Sequence, residues 1–258
     1  RMFGDDVAEN VPDCAHHDDA GRWAPAPGYP KTSPVSELIA NWNPDDMAHL
    51  PARVYRGICR FDAATEWDKA LAYRAAEVPF QLTNFAPLDA TVARWANASF
   101  LERMLGPTTA YPCEASRPGG SSNHGPNHFM YSQGRGDANW SAPIEKVQLT
   151  FPQWRAAQAR VPRGAPASAD FERLYFRFSA RDAKRPRDAW LYRELPWFAP
   201  PPDGARTLFL AEPRQARGIH CRFGMSGLVS EAHWDGSNNM IVQLGGRRRY
   251  ILVDPSPS

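Results

Sequence analysis

The sequence predicts an α+β protein whose last part is an antiparallel sandwich or barrel. Two observations carry that prediction. Helix-like and strand-like segments are mixed along most of the chain, and then one short strand-like segment follows another. Proline is abundant, at 25 of 258 residues, which favours loops and extended segments over long helices. No internal repeat is visible.

Taken in order, residues 1–34 are rich in Asp, Pro and Gly and lack a hydrophobic period. They read as a mobile or loosely wrapped arm, and residues 35–258 as one domain. RVYRGICRF (53–61) alternates like a strand. DAATEWDKALAYRAAE (62–77) reads as a helix with Asp62 as N-cap and Glu66 in its first turns. VPFQLTNF (78–85) reads as a buried strand ended by Pro87. LDATVARWANASFLERMLG (88–106) reads as one amphipathic helix. Its apolar set is Val92, Trp95, Phe100, Leu101, Met104 and Leu105, and Gly106 provides the stop.

Residues 112–143 are rich in Gly, Ser, Asn and Pro and read as loop, with a short strand at HFMYS. VQLTFPQWRAAQA (147–159) reads as a strand leading into a helix near Pro152. FERLYFRFS (171–179) reads as a strand, and DAWLYRELPWF (188–198) as a short helix or turn with buried aromatics. TLFLAEP, GIHCRFGMSG, VSEAHW, MIVQLGG and RRYILVDP then read as strands joined by turns.

Composition excludes several function classes. No apolar run reaches the roughly 20 residues a membrane helix needs, and the first residues lack the apolar core of a secretory signal. A net charge of +2 gives no case for nucleic-acid binding. The four cysteines, Cys14, Cys59, Cys113 and Cys221, are far apart and form no CxxC pair. They read as reduced thiols in a cytoplasmic or nuclear protein. Of the 30 basic residues only four are lysines, so arginine stands where another protein would use lysine.

The segment that carries chemistry is EAHWDGSNNMIVQLGGRRRYILVDP (231–255). On a strand, His233 and Asp235 point to the same face and can present an imidazole nitrogen and a carboxylate oxygen to one point, with Trp234 facing away. Such a pair fits part of the two-His-one-carboxylate facial triad of non-haem Fe(II). By itself H-x-D equally fits a His and an Asp hydrogen-bonded to each other in a surface turn.

The wider stretch, FGMSGLVSEAHWDGSNNMIVQLGGRRRYILVDP, resembles the cupin-fold Jumonji-C family of Fe(II)- and 2-oxoglutarate-dependent oxygenases, and within it the asparaginyl hydroxylase branch. The family pattern is G-x-x-G, T/S-x-x-H-x-D, a turn, Asn, an apolar strand, G-x-K and an apolar strand ending in Pro. VPFQLTNF with RWANASFLERMLG, then VQLTFPQW, FERLYFRF and ELPWF, extend the resemblance over residues 77–258.

The resemblance implies a cupin-type double-stranded β-helix with N-terminal helices and strands packed on it. It implies His233 and Asp235 as iron ligands, with Tyr175, Ser230, Asn239 and Arg248 holding 2-oxoglutarate. Tyr175 and Arg248 match the pair that grips the distal carboxylate. Arg248 stands where the family has lysine; a guanidinium can hold a carboxylate through two parallel hydrogen bonds but is longer and flatter. Alternation sends Arg248 to one face and Arg247 and Arg249 to the other. The implied activity is hydroxylation of a protein or peptide side chain.

His220, in GIHCRF, reads as a core or edge histidine, because the family's third ligand comes later in the chain. His124 and His128 lie in the Gly/Asn-rich loop and can face a substrate. Only 23 residues follow Asp235, none of them histidine. The β-helix is therefore expected to be truncated at its C-terminus, with strands and a third ligand missing. A fragment of a longer oxygenase, an inactive cupin-fold binding module, and a ligand supplied by another chain are the three explanations.

Overall fold

The computed structural model describes residues 11–41, 57–116, 128–129, 144–165, 171–230, 233, 235 and 238–252. The architecture is α+β, as the order of segments predicts. Two hydrophobic cores organise it, a small one near the N-terminus and a large one under a four-stranded sheet.

After a short helix, α1 (Val35–Ala40), the chain forms strand β1 (Arg60–Asp62), helix α2 (Trp67–Ala75) and strand β2 (Gln81–Thr83). β1 and β2 pair in parallel, which needs a crossover, and α2 supplies it. Phe61 and Tyr73 are fully buried between them, with Leu208 and Phe209 closing the cluster from a distant loop. α2 starts five residues later than the sequence predicts. Asp62 instead closes β1, where its carboxylate accepts from the Ala64 backbone N–H and the Asn84 amide. That local bonding competes with helix formation and holds a turn until Trp67.

The arm is fastened to this unit. The Tyr29 hydroxyl donates to the Pro79 carbonyl and accepts from the Cys59 N–H at 2.8 Å. The Lys31 N–H donates to the Gly57 carbonyl at 2.9 Å. A disulfide joins Cys14 to Cys59 across 45 residues, which corrects the expectation of four reduced thiols. Spacing along the chain could not show the pair, because residues this far apart meet only through the fold. Cys113 and Cys221 are free thiols buried in the large core, and burial pushes each pKa up to about 12.

The single helix expected over residues 88–106 is two, α3 (Asp89–Ala96) and α4 (Ala98–Leu105). Asn97 breaks it with extended backbone (φ −87°, ψ 107°) and caps α4 by accepting from the Ser99 N–H. Gly106, at φ +82°, stops α4.

Next come strand β3 (Ala110–Ser116), strand β4 (His128–Phe129) and strand β5 (Ile144–Thr150). Helix α5 (Phe151–Gln158), strand β6 (Arg173–Ala180) and helix α6 (Pro186–Glu194) follow. Strand β7 (Ile219–Phe223) and strand β8 (Val229–Ser230) complete the regular elements. Thr150 and Gln153 form a reciprocal capping box that turns β5 directly into α5.

β5, β3, β6 and β7 make one antiparallel sheet in that order. Side chains alternate across it, so register sorts them onto two faces. One face is apolar. Cys113 lies opposite Phe176, Ala115 opposite Leu174, and Phe176 opposite Phe223. α4, α5 and α6 cover this face with Leu101, Leu105, Phe151, Trp154, Trp190 and Leu191. The other face is polar, with Glu114 opposite Tyr175 and Lys146, Arg177 opposite Arg222, and Ser179 opposite His220.

TLFLAEP is a turn, not a strand; Leu208 and Phe209 serve the small core, and the Thr207 N–H bonds the Leu210 carbonyl at 2.9 Å. Residues 240–252 carry the strand signals MIVQLGG and RRYIL but form no strand, and Ile241, Ile251 and Leu252 are exposed. A strand needs a partner ladder for its backbone groups, and the described residues offer none there. Residues 53–56, His124 and Trp234 lie outside the described residues.

Phe176 has no exposed surface and touches the rings of Tyr111, Phe151, Trp154 and Phe223. Phe176→Ala is expected to cost about 3–5 kcal/mol in a denaturant titration. A loss under about 1 kcal/mol is what a poorly packed surface position would give and would contradict this packing.

Candidate functional site

Two of the sequence-predicted residues, Tyr175 and Arg248, meet on the polar face of the sheet. Tyr175 sits mid-strand on β6, 3 % exposed, and packs with Ile144 and Leu228 rather than with the large core. Its neighbour across β3, Glu114, is buried and ion-paired with Arg177. This pairing explains how a carboxylate comes to lie inside: its charge is met by a guanidinium on the adjacent strand.

Arg248 reaches the face from the C-terminal segment. One guanidinium nitrogen donates to the Tyr175 hydroxyl at 3.4 Å, a long hydrogen bond, and another lies 3.5 Å from the Tyr250 hydroxyl. The guanidinium carbon lies 5.7 Å from the centre of the Tyr175 ring, within cation–π range. Burial works against the charge, but the bonds to Tyr250 and Tyr175 outweigh it and hold the Arg248 pKa above its ordinary value. Arg247 has no part in this contact, and burial lowers the pKa of Arg249.

Gly224 makes this approach possible. A Cβ there would lie 3.1 Å from Leu228 Cδ1 and 3.6 Å from the Arg248 guanidinium. A side chain at this position would fill the space beside Tyr175. Sequence reading noted Gly224 within FGMSG but assigned it no role.

The H-x-D residues are placed differently from expectation. β8 ends at Ser230, so His233 and Asp235 lie past the strand's end instead of alternating on it. Both are exposed. Asn239 donates its amide to the Asp235 carboxylate, which joins two of the predicted residues. Ser230 is exposed and pairs in register with Phe129 of β4, as Val229 does with His128.

Four of the six predicted residues thus form two pairs, Tyr175 with Arg248 and Asp235 with Asn239. The polar face of β7 links them. At one end Arg222 holds its guanidinium carbon 6.0 Å from the Tyr175 ring centre. At the other, His220 feels the charge of Asp235.

In donor chemistry an imidazole and a carboxylate fit Fe(II). Among the described residues no set of three His, Cys, Asp or Glu side chains converges as a metal site. One cleft lies on α3 and α4, lined by Arg94, Asn97 and Arg103, and another between the N-terminal arm and α2, lined by Arg22, Trp23 and Asp68.

Comparison with known proteins adds no relative: no family model, no curated protein and no solved structure matches the chain.

His220 bonds the Ser179 hydroxyl through Nδ1 at 2.8 Å. Desolvation against the sheet, then the positive charge of Arg222, lowers its pKa below the ordinary 6.5, although its outer edge is open to solvent. The fold therefore favours the neutral ring. That contribution is present above the unfolded pKa and fades as pH falls through the lower folded value. An NMR titration should put the His220 midpoint below 6.5, and His220→Asn should lose less stability than the parent on acidification. A midpoint at or above the ordinary value would contradict the site's geometry.

Proposed function

We propose that this protein is an Fe(II)- and 2-oxoglutarate-dependent oxygenase that hydroxylates a protein side chain, built on a cupin-type double-stranded β-helix. The observation that carries the reading is the meeting of Tyr175 and Arg248 across 73 residues of chain on the polar face of an antiparallel sheet. They are the two residues that the resemblance assigns to the distal carboxylate of 2-oxoglutarate. A two-faced sheet, covered by helices on one side and polar on the other, suits such a pocket wall.

The roles follow from charge and position. Arg248, always protonated, draws the distal carboxylate of the co-substrate, and the Tyr175 hydroxyl donates to the same group. Gly224 keeps the space beside them open. His233 and Asp235 would hold the metal, with Asn239 orienting the Asp235 carboxylate through its amide. Ser230 would donate to the co-substrate. Bound Fe(II) would supply the oxidative chemistry, coupling decarboxylation of 2-oxoglutarate to succinate with hydroxylation of the substrate. The chain's arginine bias accounts for Arg248 in place of lysine.

The test is succinate formation by the full chain supplied with Fe(II), 2-oxoglutarate and dioxygen. His233→Ala and Asp235→Ala are expected to abolish it. Arg248→Gln removes a charge-assisted anchor worth about 1.5–3 kcal/mol, so the KM for 2-oxoglutarate should rise roughly 10- to 100-fold. A protein that neither binds 2-oxoglutarate nor forms succinate would sink the reading. Retained binding of acidic peptides on the same face would then favour a non-catalytic binding module.

A further inference from the structure

The charges on the polar face are unevenly matched. Arg177 is neutralised by Glu114. Arg173, with no exposed surface, is absorbed structurally: it donates to the carbonyls of Ser226 and Phe171, each at 2.8 Å. Arg222 and Arg248 remain. Among the described residues no carboxylate forms an ion pair with either, and both guanidiniums stand about equally far from one ring, at 6.0 and 5.7 Å from the centre of Tyr175. Two like charges gathered around one phenol repel each other, and an anion between them relieves the repulsion. Arg222 is fixed for this task by strand register: it lies opposite the ion-paired Arg177, on the same face as Tyr175.

We propose that Arg222 is a second anion-anchoring residue, acting with Arg248 on the distal carboxylate of the co-substrate, so that the pocket takes 2-oxo dicarboxylates and rejects 2-oxo monocarboxylates. The inference rests on the co-substrate reading of this face. A carboxylate has two oxygens and about four lone-pair sites. Arg248 and the Tyr175 hydroxyl can fill some of these sites and Arg222 others. An acid without the distal carboxylate would leave both guanidiniums without that counter-charge, which is a penalty as well as a lost attraction.

Calorimetric titration of the full chain with Mn(II) present, so that no turnover occurs, tests this with two probes. 2-Oxoglutarate carries the distal carboxylate and 2-oxobutyrate lacks it. Arg222→Gln is expected to weaken 2-oxoglutarate at least 10-fold and to leave 2-oxobutyrate unchanged, and Arg222→Lys to recover part of the loss. Equal affinity of the Gln variant and the parent for 2-oxoglutarate would overturn the role of Arg222 and leave the oxygenase reading intact. Equal weakening of both probes would overturn it too, by assigning Arg222 a structural part, and thermal unfolding of the variant would show the same loss. If the parent itself binds neither probe, the co-substrate reading fails and this inference fails with it.

Discussion

Strand β6 must satisfy two environments at once, and the rest of the structure depends on how it does so. Leu174, Phe176, Phe178 and Ala180 are buried in the large core, while Arg173 and Tyr175, on the opposite face, are buried as well. A half-exposed strand could leave its polar side to water. At its Arg173–Tyr175 end this one cannot, so the polar groups there need partners. Arg173 finds carbonyls, Arg177 finds Glu114, and the Tyr175 hydroxyl finds Arg248. The apolar side anchors the sheet to α4, α5 and α6 and fixes register, because a slip of one residue would drive arginines into the aromatic core. The same register places Tyr175, Arg177 and Arg222 together. Packing energy on one face thus positions charges on the other.

The N-terminal unit contributes to this order indirectly. The Cys14–Cys59 bridge and the Tyr29 hydroxyl tie the arm to β1 and α2. Rings then continue the contact toward the large core: Phe85 meets Trp197, edge to face, with centres 5.0 Å apart, and Trp197 packs against both clusters. Disulfides persist in oxidising surroundings, so the bridge sits poorly with thiols kept reduced. Cys113 and Cys221, buried under the sheet with pKa values pushed to about 12, are shielded from such chemistry.

Much of the fold was legible from local pattern. FERLYFRFS and GIHCRF, read as strands, marked β6 and β7, Pro152 marked the start of α5, and Gly106 the end of α4. What failed did so for stated reasons. Asp62 and Asn97 bond their neighbours' backbone and shift or split helices, a competition that hydrophobic period does not register. MIVQLGG and RRYIL have strand composition, but a strand is defined by its partner, which no local pattern contains. Of the site, the pairing of Tyr175 with Arg248 followed from resemblance and not from spacing. Arg222 and Gly224 carry no role in the sequence pattern because their importance lies in what the fold brings beside them. The placing of His233 and Asp235 beyond β8, with Asn239 on the Asp235 carboxylate, differs from simple alternation because the strand ends at Ser230.

The central claim is that the polar face of the sheet holds a 2-oxo dicarboxylate next to a metal carried by His233 and Asp235. Chelation of Fe(II) by a 2-oxo acid produces a visible charge-transfer absorption, so an anaerobic titration reads both partners together. On adding 2-oxoglutarate to the Fe(II)-supplied protein, the account predicts a saturable band that His233→Ala abolishes and that Arg248→Gln shifts to higher 2-oxoglutarate concentration. No band beyond that of Fe(II) and 2-oxoglutarate in buffer alone, or a band that His233→Ala leaves unchanged, would contradict it.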